Sequence, residues 1–424
     1  MKYKIIGAKL LVQGKNGLEI QEKELYISNG KILSIGGQPQ GNFNIVNASG
    51  KLIMPGLINM HTHAYMALFR NYADDVNFDE WLFKRIMPVE DTLSMEAAYW
   101  SSLFNCIEMI ESGTTCFMDM HMFRGQSAKA VRDIGMRAYI GRAVVGEDLY
   151  TDGFTRFNDM LEEQKEYESD KIKFVISPHA IYSASTKMFA QVVEESEKRG
   201  LLRMTHLSES DNEIENCFKT HGKSPVELLD DVGFLSPKAT LAHCVKFSDS
   251  DIALTARRGA NVVTNPASNA KLGNGFAPIN AMRAAGVNVC LGTDSNASNN
   301  TQNMFREMGV LTLMHKALAR DSVAAPAEFV LNAATVNAAK ALDMENRLGV
   351  IREGAQADII FIDLNSTSLF PNNNIISSLC YSANGSEVDS VMVDGSFIMK
   401  NREFLTIDKE KVMAQLQKAV DKYL

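Results

Sequence analysis

Residues 54–63 read MPGLINMHTH, and the architecture follows from how that stretch is continued along the chain. Pro55-Gly56 ends a series of short β-like segments, and Leu57–His63 is an apolar run that closes on two histidines. Side chains alternate along a strand, so His61 and His63 face one way at its C-terminal end. Seven further apolar runs follow, at 114–120, 137–145, 173–179, 201–206, 240–244, 260–265 and 287–294. Helical patterns lie between them, at 94–111, 185–198, 225–231, 249–258, 278–285 and 304–319. Short buried strands alternating with helices predict a parallel sheet. Eight such units predict an α/β fold, a (β/α)8 TIM barrel spanning residues 55–347.

Working outward, both flanks are β-rich. KYKIIGAKLLV (2–12) and LEIQEKELYISNGKILSIGG (18–37) precede the barrel, with Asn29-Gly30 as a hairpin signal. Strand-like runs return at ADIIFIDL (357–364) and SVMVDGSFIMK (390–400). The two ends are expected to pair into one small composite β-sandwich domain, residues 1–54 plus 348–424. One helix is predicted over 326–342 and a last one over 409–424.

Composition narrows the function classes. With 46% hydrophobic and 22% charged residues, the 424-residue chain has the balance of a globular protein with a sizeable core. A net charge of −8 speaks against nucleic acid as a partner, since phosphate binding needs a basic face. No apolar run approaches the roughly 18 residues of a membrane span, and the first residues lack a signal-peptide core. A cytoplasmic location with no membrane partner is therefore expected, and a homo-oligomer, dimer or tetramer, is the expected assembly. The six cysteines (106, 116, 217, 244, 290 and 380) form no CxxC pair. They read as reduced thiols, which leaves any metal chemistry to histidine and carboxylate.

The eight histidines then become the question. His61 and His63 close the first strand, His179 the fourth, His206 the fifth and His243 the sixth, while Asp294 closes the eighth. Active sites of this fold lie at the strand exits. Histidines that merely fill a core would fall at any height in the barrel. Imidazole nitrogens with one carboxylate suit a divalent metal with an open position, where bound water loses a proton near pH 7. Glu209, three residues after His206 in HLSES, is placed to donate and accept a proton there, or else to serve as an acid near the helix caps Ser208 and Ser210.

Taken in order, MPGLINMHTH, SPHAIYSAS (177–185), THLSES (205–210), AHCV (242–245), NPASNAKL (265–272), LGTDSNASNN (291–300) and GVIREGAQADIIFID (349–363) resemble the amidohydrolase superfamily over essentially the whole chain. Within it the chain is most similar to the deaminases of 5′-methylthioadenosine and S-adenosylhomocysteine. The resemblance implies one divalent ion, zinc first and iron or manganese as alternatives, held by His61, His63, His206 and Asp294. It implies that Glu209 protonates the purine ring at N1, and that His243 and Asp294 polarise the attacking water and relay its proton. Attack at C6 then releases ammonia and leaves the inosyl product. Glu90 and His179 match positions that contact the ribose hydroxyls, and Arg142 matches more loosely an arginine meeting the amino-acid tail of the substrate. Glu209 and Asp294 touch the substrate as well. The alternative is another aromatic ring in the same site, as in guanine-type deaminases or triazine-type hydrolases. No lysine stands at the end of strand four, which argues against a carboxylated-lysine dinuclear centre. The H-x-E and P-C-x-x-C signature of the cytidine-deaminase type is absent.

The other residues have plainer readings. His121 ends the second strand, where it is placed to meet substrate, whereas His221 reads as a loop residue before a helix and His315 as a packed or exposed helix residue. Trp81, after the first strand, reads equally as lid or as local hydrophobic anchor. Cys244 and most of the 22 methionines read as core, with a few among Met60, Met66, Met118, Met120 and Met122 near strand ends as candidates for a pocket wall.

Overall fold

The computed structural model describes every residue except Asn16 and Asp79. Eight strands follow one another in chain order around a single sheet: β1 (Leu57–Thr62), β2 (Thr114–His121), β3 (Arg137–Val144), β4 (Ile172–Pro178), β5 (Leu202–Leu207), β6 (Ala239–His243), β7 (Asn261–Thr264) and β8 (Asn288–Leu291). Each neighbouring pair is parallel. The ring closes beyond β8, where the Asp294 amide donates to the His61 carbonyl at 2.9 Å.

Two apolar layers result from the alternation. Ile58, Met118, Tyr139, Val175, Met204 and Val263 fill the interior. Phe117, Ile140, Phe174, Leu241 and Val289 face outward against the helices. The helices start and stop on local chemistry: Ser94, Ser185, Ser210 and Ser248 cap first turns, and Gly200, Gly222 and Gly259 close the last three of those helices in the left-handed region.

β1 carries an irregularity that matters for the site. Asn59 pairs with Phe117 but Thr62 pairs with Asp119, so one extra residue of β1 bulges out. Asn59 and Thr62 consequently share a side, both bonding to Gln302 Oε1 at 3.2 and 2.8 Å. Met60 stays in the interior with Ile58, while His61 and His63 gain the mouth. Without the bulge, strict alternation from Ile58 would turn both histidines outward.

The helix predicted over 326–342 is two: Ala327–Ala333 and Val336–Ala341. The carbonyl of Ala334 leaves the helical ladder to accept the Ile58 amide of β1 at 2.8 Å, and Thr335 Oγ1 donates to the Leu331 carbonyl. That break lets Ala338, Ala341 and Leu342 plug the foot of the barrel interior. His221 is also corrected: it is the exposed last residue of a helix, Asp211–His221, rather than part of a loop.

The flanks form two sheets. One has four strands, in the order Lys31–Ile35, Leu25–Ser28, Lys2–Ile6 and Asn44–Asn47. The other has seven and interleaves the chain's two ends, with Ile359–Asp363 antiparallel to Lys51–Pro55. Ile5, Ile27, Leu10, Ile53, Ile359 and Phe361 form a common core between the sheets. Asn29-Gly30 makes the expected hairpin, both residues at positive φ. At the barrel foot, Arg137 of β3 reaches Asp358 beside the seven-stranded sheet through Nε and Nη2, at 2.7 and 3.1 Å. No helix among the described residues is long and apolar enough to cross a membrane.

Candidate active site

Four of the strand exits bring five side chains into one cluster. His61 and His63 come from β1, His206 from β5, His243 from β6 and Asp294 from the turn after β8. Asp294 Oδ1 lies 3.6 Å from His61 Nε2 and 3.5 Å from His63 Nε2. The Nε2 atoms of His63 and His206 are 3.3 Å apart. Those spacings match the edge of a tetrahedron, about 3.4 Å for bonds of roughly 2.1 Å around one ion.

The protonation states make the same point. Nδ1 of His63 lies 2.7 Å from the Met120 carbonyl, and Nδ1 of His206 lies 2.8 Å from the His179 carbonyl. A carbonyl only accepts, so both Nδ1 atoms hold the proton. Burial and the surrounding imidazoles hold the His206 pKa well down, which keeps it neutral. Two lone pairs are thus aimed at one another, and both nitrogens of the fully buried His61 have no hydrogen-bond partner. Burial, only partly opposed by the Asp294 carboxylate, brings His61 down to about 4. Converging lone pairs beside a carboxylate are repulsive without a cation. The donor set fits a divalent metal ion.

Asp294 is held as the anion. Burial alone would raise its pKa, but the close approach of His61 and the other nearby imidazoles brings it well below the usual range. Ser268 and Ser298 each donate to Oδ2, at 2.7 and 2.8 Å, and the Ser295 amide donates to Oδ1 at 2.8 Å. Glu209 takes the opposite course: burial pushes its pKa up, towards the acid form. Its Oε1 accepts from Asn274 Nδ2 at 3.0 Å and lies 3.8 Å from His243 Nδ1. Burial lowers His243, but the carboxylates of Glu209 and Asp294 outweigh it and the net shift is upward. Ser208, His243 and Asp294 all have positive φ, uncommon outside glycine although His and Asp adopt it more readily than most. Such strain of about 1–3 kcal/mol each gathers where side chains must be aimed.

The cluster forms the floor of a cavity with two compartments. The inner one spans about 660 Å³ of atom-free space, part of it open to solvent, walled by Trp81, Ile86, Leu272 and Ser295 above His63, His206, Glu209, His243 and Asp294. The outer one, about 1520 Å³, is walled by Phe83, Met87, Val145, Arg156, Ser183 and Asn212. Phe78, Leu82, Glu90, Met122, His179 and Tyr182 border both. Glu90, its pKa raised by burial, accepts from Tyr65 Oη at 2.6 Å. His179, brought down to about 3 by burial, is neutral and pairs through Nδ1 with Ser183 Oγ at 2.8 Å. Between them these two define the waist. Trp81 is both anchor and wall: it is buried, donates to the Ala297 carbonyl at 3.2 Å and sits in a wide-turned π-helix, Glu80–Ile86.

Arg142 is not in this cavity. On β3 it is Ala143 that faces inward, so Arg142 turns out of the barrel to Asp159 and Glu163, at 3.2 and 3.3 Å. The cavity's arginine is Arg156, in the first turn of the helix Phe154–Tyr167, where its Nη1 donates to the Ala143 carbonyl at 3.1 Å. A cation in a helix's first turn runs against the helix dipole, and that was the available sign that it serves something else. His121 is likewise corrected. It is buried against Glu163 at 3.2 Å, away from both compartments. Sequence reasoning also missed Glu213, a buried carboxyl pushed up to about 7, which accepts the backbone amides of Ser208 and Glu209 at 2.8 and 2.9 Å.

Residues 52–398 match the amidohydrolase family. A curated 5-methylthioadenosine/S-adenosylhomocysteine deaminase of Thermoanaerobacter pseudethanolicus is 42% identical over 380 residues, 88% of each chain. A 5′-deoxyadenosine deaminase of Methanosarcina mazei is 39% identical over 98% of this chain and 97% of its own. Among solved structures, an adenosine deaminase from Xanthomonas campestris with bound zinc superposes with a TM-score of 0.94 at 29% identity, covering 99% of this chain and 98% of that one.

Proposed function

The chain belongs to the amidohydrolase family, and from that membership we propose that it is an aminohydrolase of adenine nucleosides. Its substrates are 5′-methylthioadenosine, S-adenosylhomocysteine and 5′-deoxyadenosine, and it converts the adenine ring to the inosyl form with release of ammonia. The observation that carries this reading is a buried acid, Glu209, standing beside a His/Asp metal set at the floor of a cavity with a second compartment behind a polar waist.

His61, His63, His206 and Asp294 would hold one zinc ion, which when bound supplies Lewis-acid activation of water at neutral pH. The chain's own residues do the rest. The purine enters the inner compartment beneath Trp81, and Glu209 in its acid form gives a proton to N1 of the ring, making C6 electrophilic. His243, with a lone pair on Nε2, takes the proton released as water adds to C6, and Asp294 stabilises the imidazolium that forms. The proton is then handed to the exocyclic amine, the C6–N bond breaks to release ammonia, and the C6 hydroxyl gives its proton back to the Glu209 carboxylate as the carbonyl forms. Glu90 and His179 at the waist grip the ribose hydroxyls. The 5′ substituent lies in the outer compartment, where Phe83, Met87 and Val145 suit a thioether and Arg156 suits a carboxylate tail. The sequence divides most naturally into a catalytic unit, 55–347, and a flanking β unit, 1–54 with 348–424.

The test is a steady-state comparison of the three nucleosides with adenosine, guanine and a triazine, following ammonia. Turnover of a 5′-modified adenine nucleoside with the highest kcat/KM is expected. Turnover of guanine or the triazine alone would overturn the reading.

A further inference from the structure

β7 sends no group to the ligand set or to the proton transfers assigned above, yet the segment after it, NPASNAKLGNG (265–275), touches three of the groups that do. Ser268 Oγ donates to Asp294 Oδ2 at 2.7 Å. Asn269 Oδ1 lies 2.9 Å from His243 Nδ1, with Asn265 Nδ2 at 3.3 Å from the same nitrogen. Asn274 Nδ2 donates to Glu209 Oε1 at 3.0 Å. Ser268 and Asn269 are completely buried and Asn274 nearly so. These three contacts reach side chains from three different strand exits, those of β5, β6 and β8.

The segment is itself fixed. The Ala267 amide donates to the buried Glu307 at 3.1 Å, the Asn269 amide to the Asn265 carbonyl at 2.9 Å, and the Asn274 amide to the Asn269 carbonyl at 2.9 Å. Lys271 Nζ ties it to the Ala297 carbonyl at 3.2 Å, in the loop that follows Asp294.

We infer that this segment is one positioning element for the reaction, with Asn269 fixing the His243 tautomer and Asn274 fixing the aim of Glu209. The inference rests on the deaminase reading above. A neutral imidazole has one N–H and one lone pair. The Asn269 oxygen is nearer to Nδ1 than the Asn265 amide nitrogen, 2.9 against 3.3 Å, and the Glu209 oxygen is on the same side at 3.8 Å, so the acceptors outweigh the one donor and put the N–H at Nδ1. Nε2 is left with its lone pair free for the cavity, which is the state a proton acceptor needs. Glu209 gains from Asn274 a donor that holds Oε1, leaving Oε2 to carry the proton for the ring. Because one element sets both the acid and the base, their separation does not depend on the relative motion of β5 and β6. Neither asparagine touches the reacting atoms; both act through the residues they hold.

Two sets of variants test this. Asn269→Leu keeps the volume and removes the acceptor, whereas Asn269→Asp keeps the acceptor. Asn269→Leu should lose about 10–100-fold in kcat, the cost of removing a partner that orients an active-site imidazole. Its KM should stay within about threefold and its metal content at one equivalent, and Asn269→Asp should recover most of the rate. Histidine-selective 15N spectra of the metal-free protein should show His243 protonated at Nδ1, and should lose that tautomer in Asn269→Leu. Asn274→Ala should cost about tenfold in the wild-type background and less than about twofold when Glu209 is already Gln, since groups that act as a unit are not additive. Wild-type kcat in Asn269→Leu, equal loss in Asn269→Asp and Asn269→Leu, or additive losses for Asn274 and Glu209 would each overturn the inference. If Asn269→Leu fails to fold, the Asn274/Glu209 cycle decides. A wild-type protein inactive on every adenine nucleoside sinks the functional reading instead, and the 15N spectra still decide whether Asn269 sets the tautomer.

Discussion

At the foot of the barrel Arg137 meets Asp358 with two nitrogens of its guanidinium, while at the mouth His63 and His206 aim bare nitrogens at each other 3.3 Å apart. The foot is closed chemistry. Arg203, another buried arginine there, donates to the carbonyls of Phe234 and Gly233 and to Ser196, Glu197 and Ser236. The mouth is open chemistry: the Met120 and His179 carbonyls are spent on orienting His63 and His206, whose facing Nε2 atoms have no hydrogen-bond donor among the described residues. The difference teaches how to read buried polarity. Charge that is satisfied from every side serves the fold, and charge satisfied from one side only serves a ligand.

Breaking the mouth should therefore destroy chemistry, and breaking the foot should destroy stability. The largest effect is expected for His206→Ala, which should lose the metal, seen by elemental analysis, and roughly 10⁴-fold or more in kcat/KM. Glu209→Gln should keep metal and nucleoside affinity yet lose about 10³-fold in kcat, within the range of a missing general acid. At the foot, Asp358→Ala strands Arg137 in the interior and should cost about 3 kcal/mol in denaturant unfolding with kcat unchanged. Equal loss of kcat in that variant would dissolve the contrast between the two ends.

Smaller effects sharpen it. Arg156→Met should raise KM about tenfold for a nucleoside with a carboxylate tail and leave 5′-methylthioadenosine unaffected, the scale of one hydrogen bond to a charged group. Arg142→Met should change neither KM. The weakest effect is a slope. Glu213 is pushed up to about 7 from an ordinary 4.5, so the folded state holds its proton more tightly than the unfolded one. That contribution is complete below pH 4.5 and is lost as pH rises towards 7. Glu307, also pushed up to about 7 by burial, acts in the same sense. Glu213→Gln should flatten the fall in stability between pH 4.5 and 7 by at most about 1.4 kcal/mol per pH unit.

Much of this was legible in the sequence because the barrel converts chain position into height. A histidine that ends an apolar run is at the mouth whatever its neighbours do, so His61, His63, His179, His206 and His243 could be placed without coordinates. Azimuth is another matter. Arg142 and Ala143 differ by one position and face opposite sides of β3, and nothing local fixes which faces in. Arg156 depends on how a helix docks across the strand exits. The break at Ala334 depends on an amide 276 positions earlier in the chain, that of Ile58, and no window of sequence contains both partners. Glu213 and Asn274 are ordinary helix and loop residues until the fold brings Glu209 between them.

The bulge in β1 has a consequence for how this protein can vary by descent. Below it, Ile58 and Met60 answer only to barrel packing; above it, His61 and His63 answer to the ion. The phase slip keeps those two demands on separate residues, so apolar exchanges at 58 and 60 leave the ligands where they are. Losing one residue at Met60 would remove the slip itself and keep both histidines facing in. Inserting one between His61 and His63 would instead swing one of them out of the site. For this strand, gains and losses of single codons sort by position far more sharply than substitutions do.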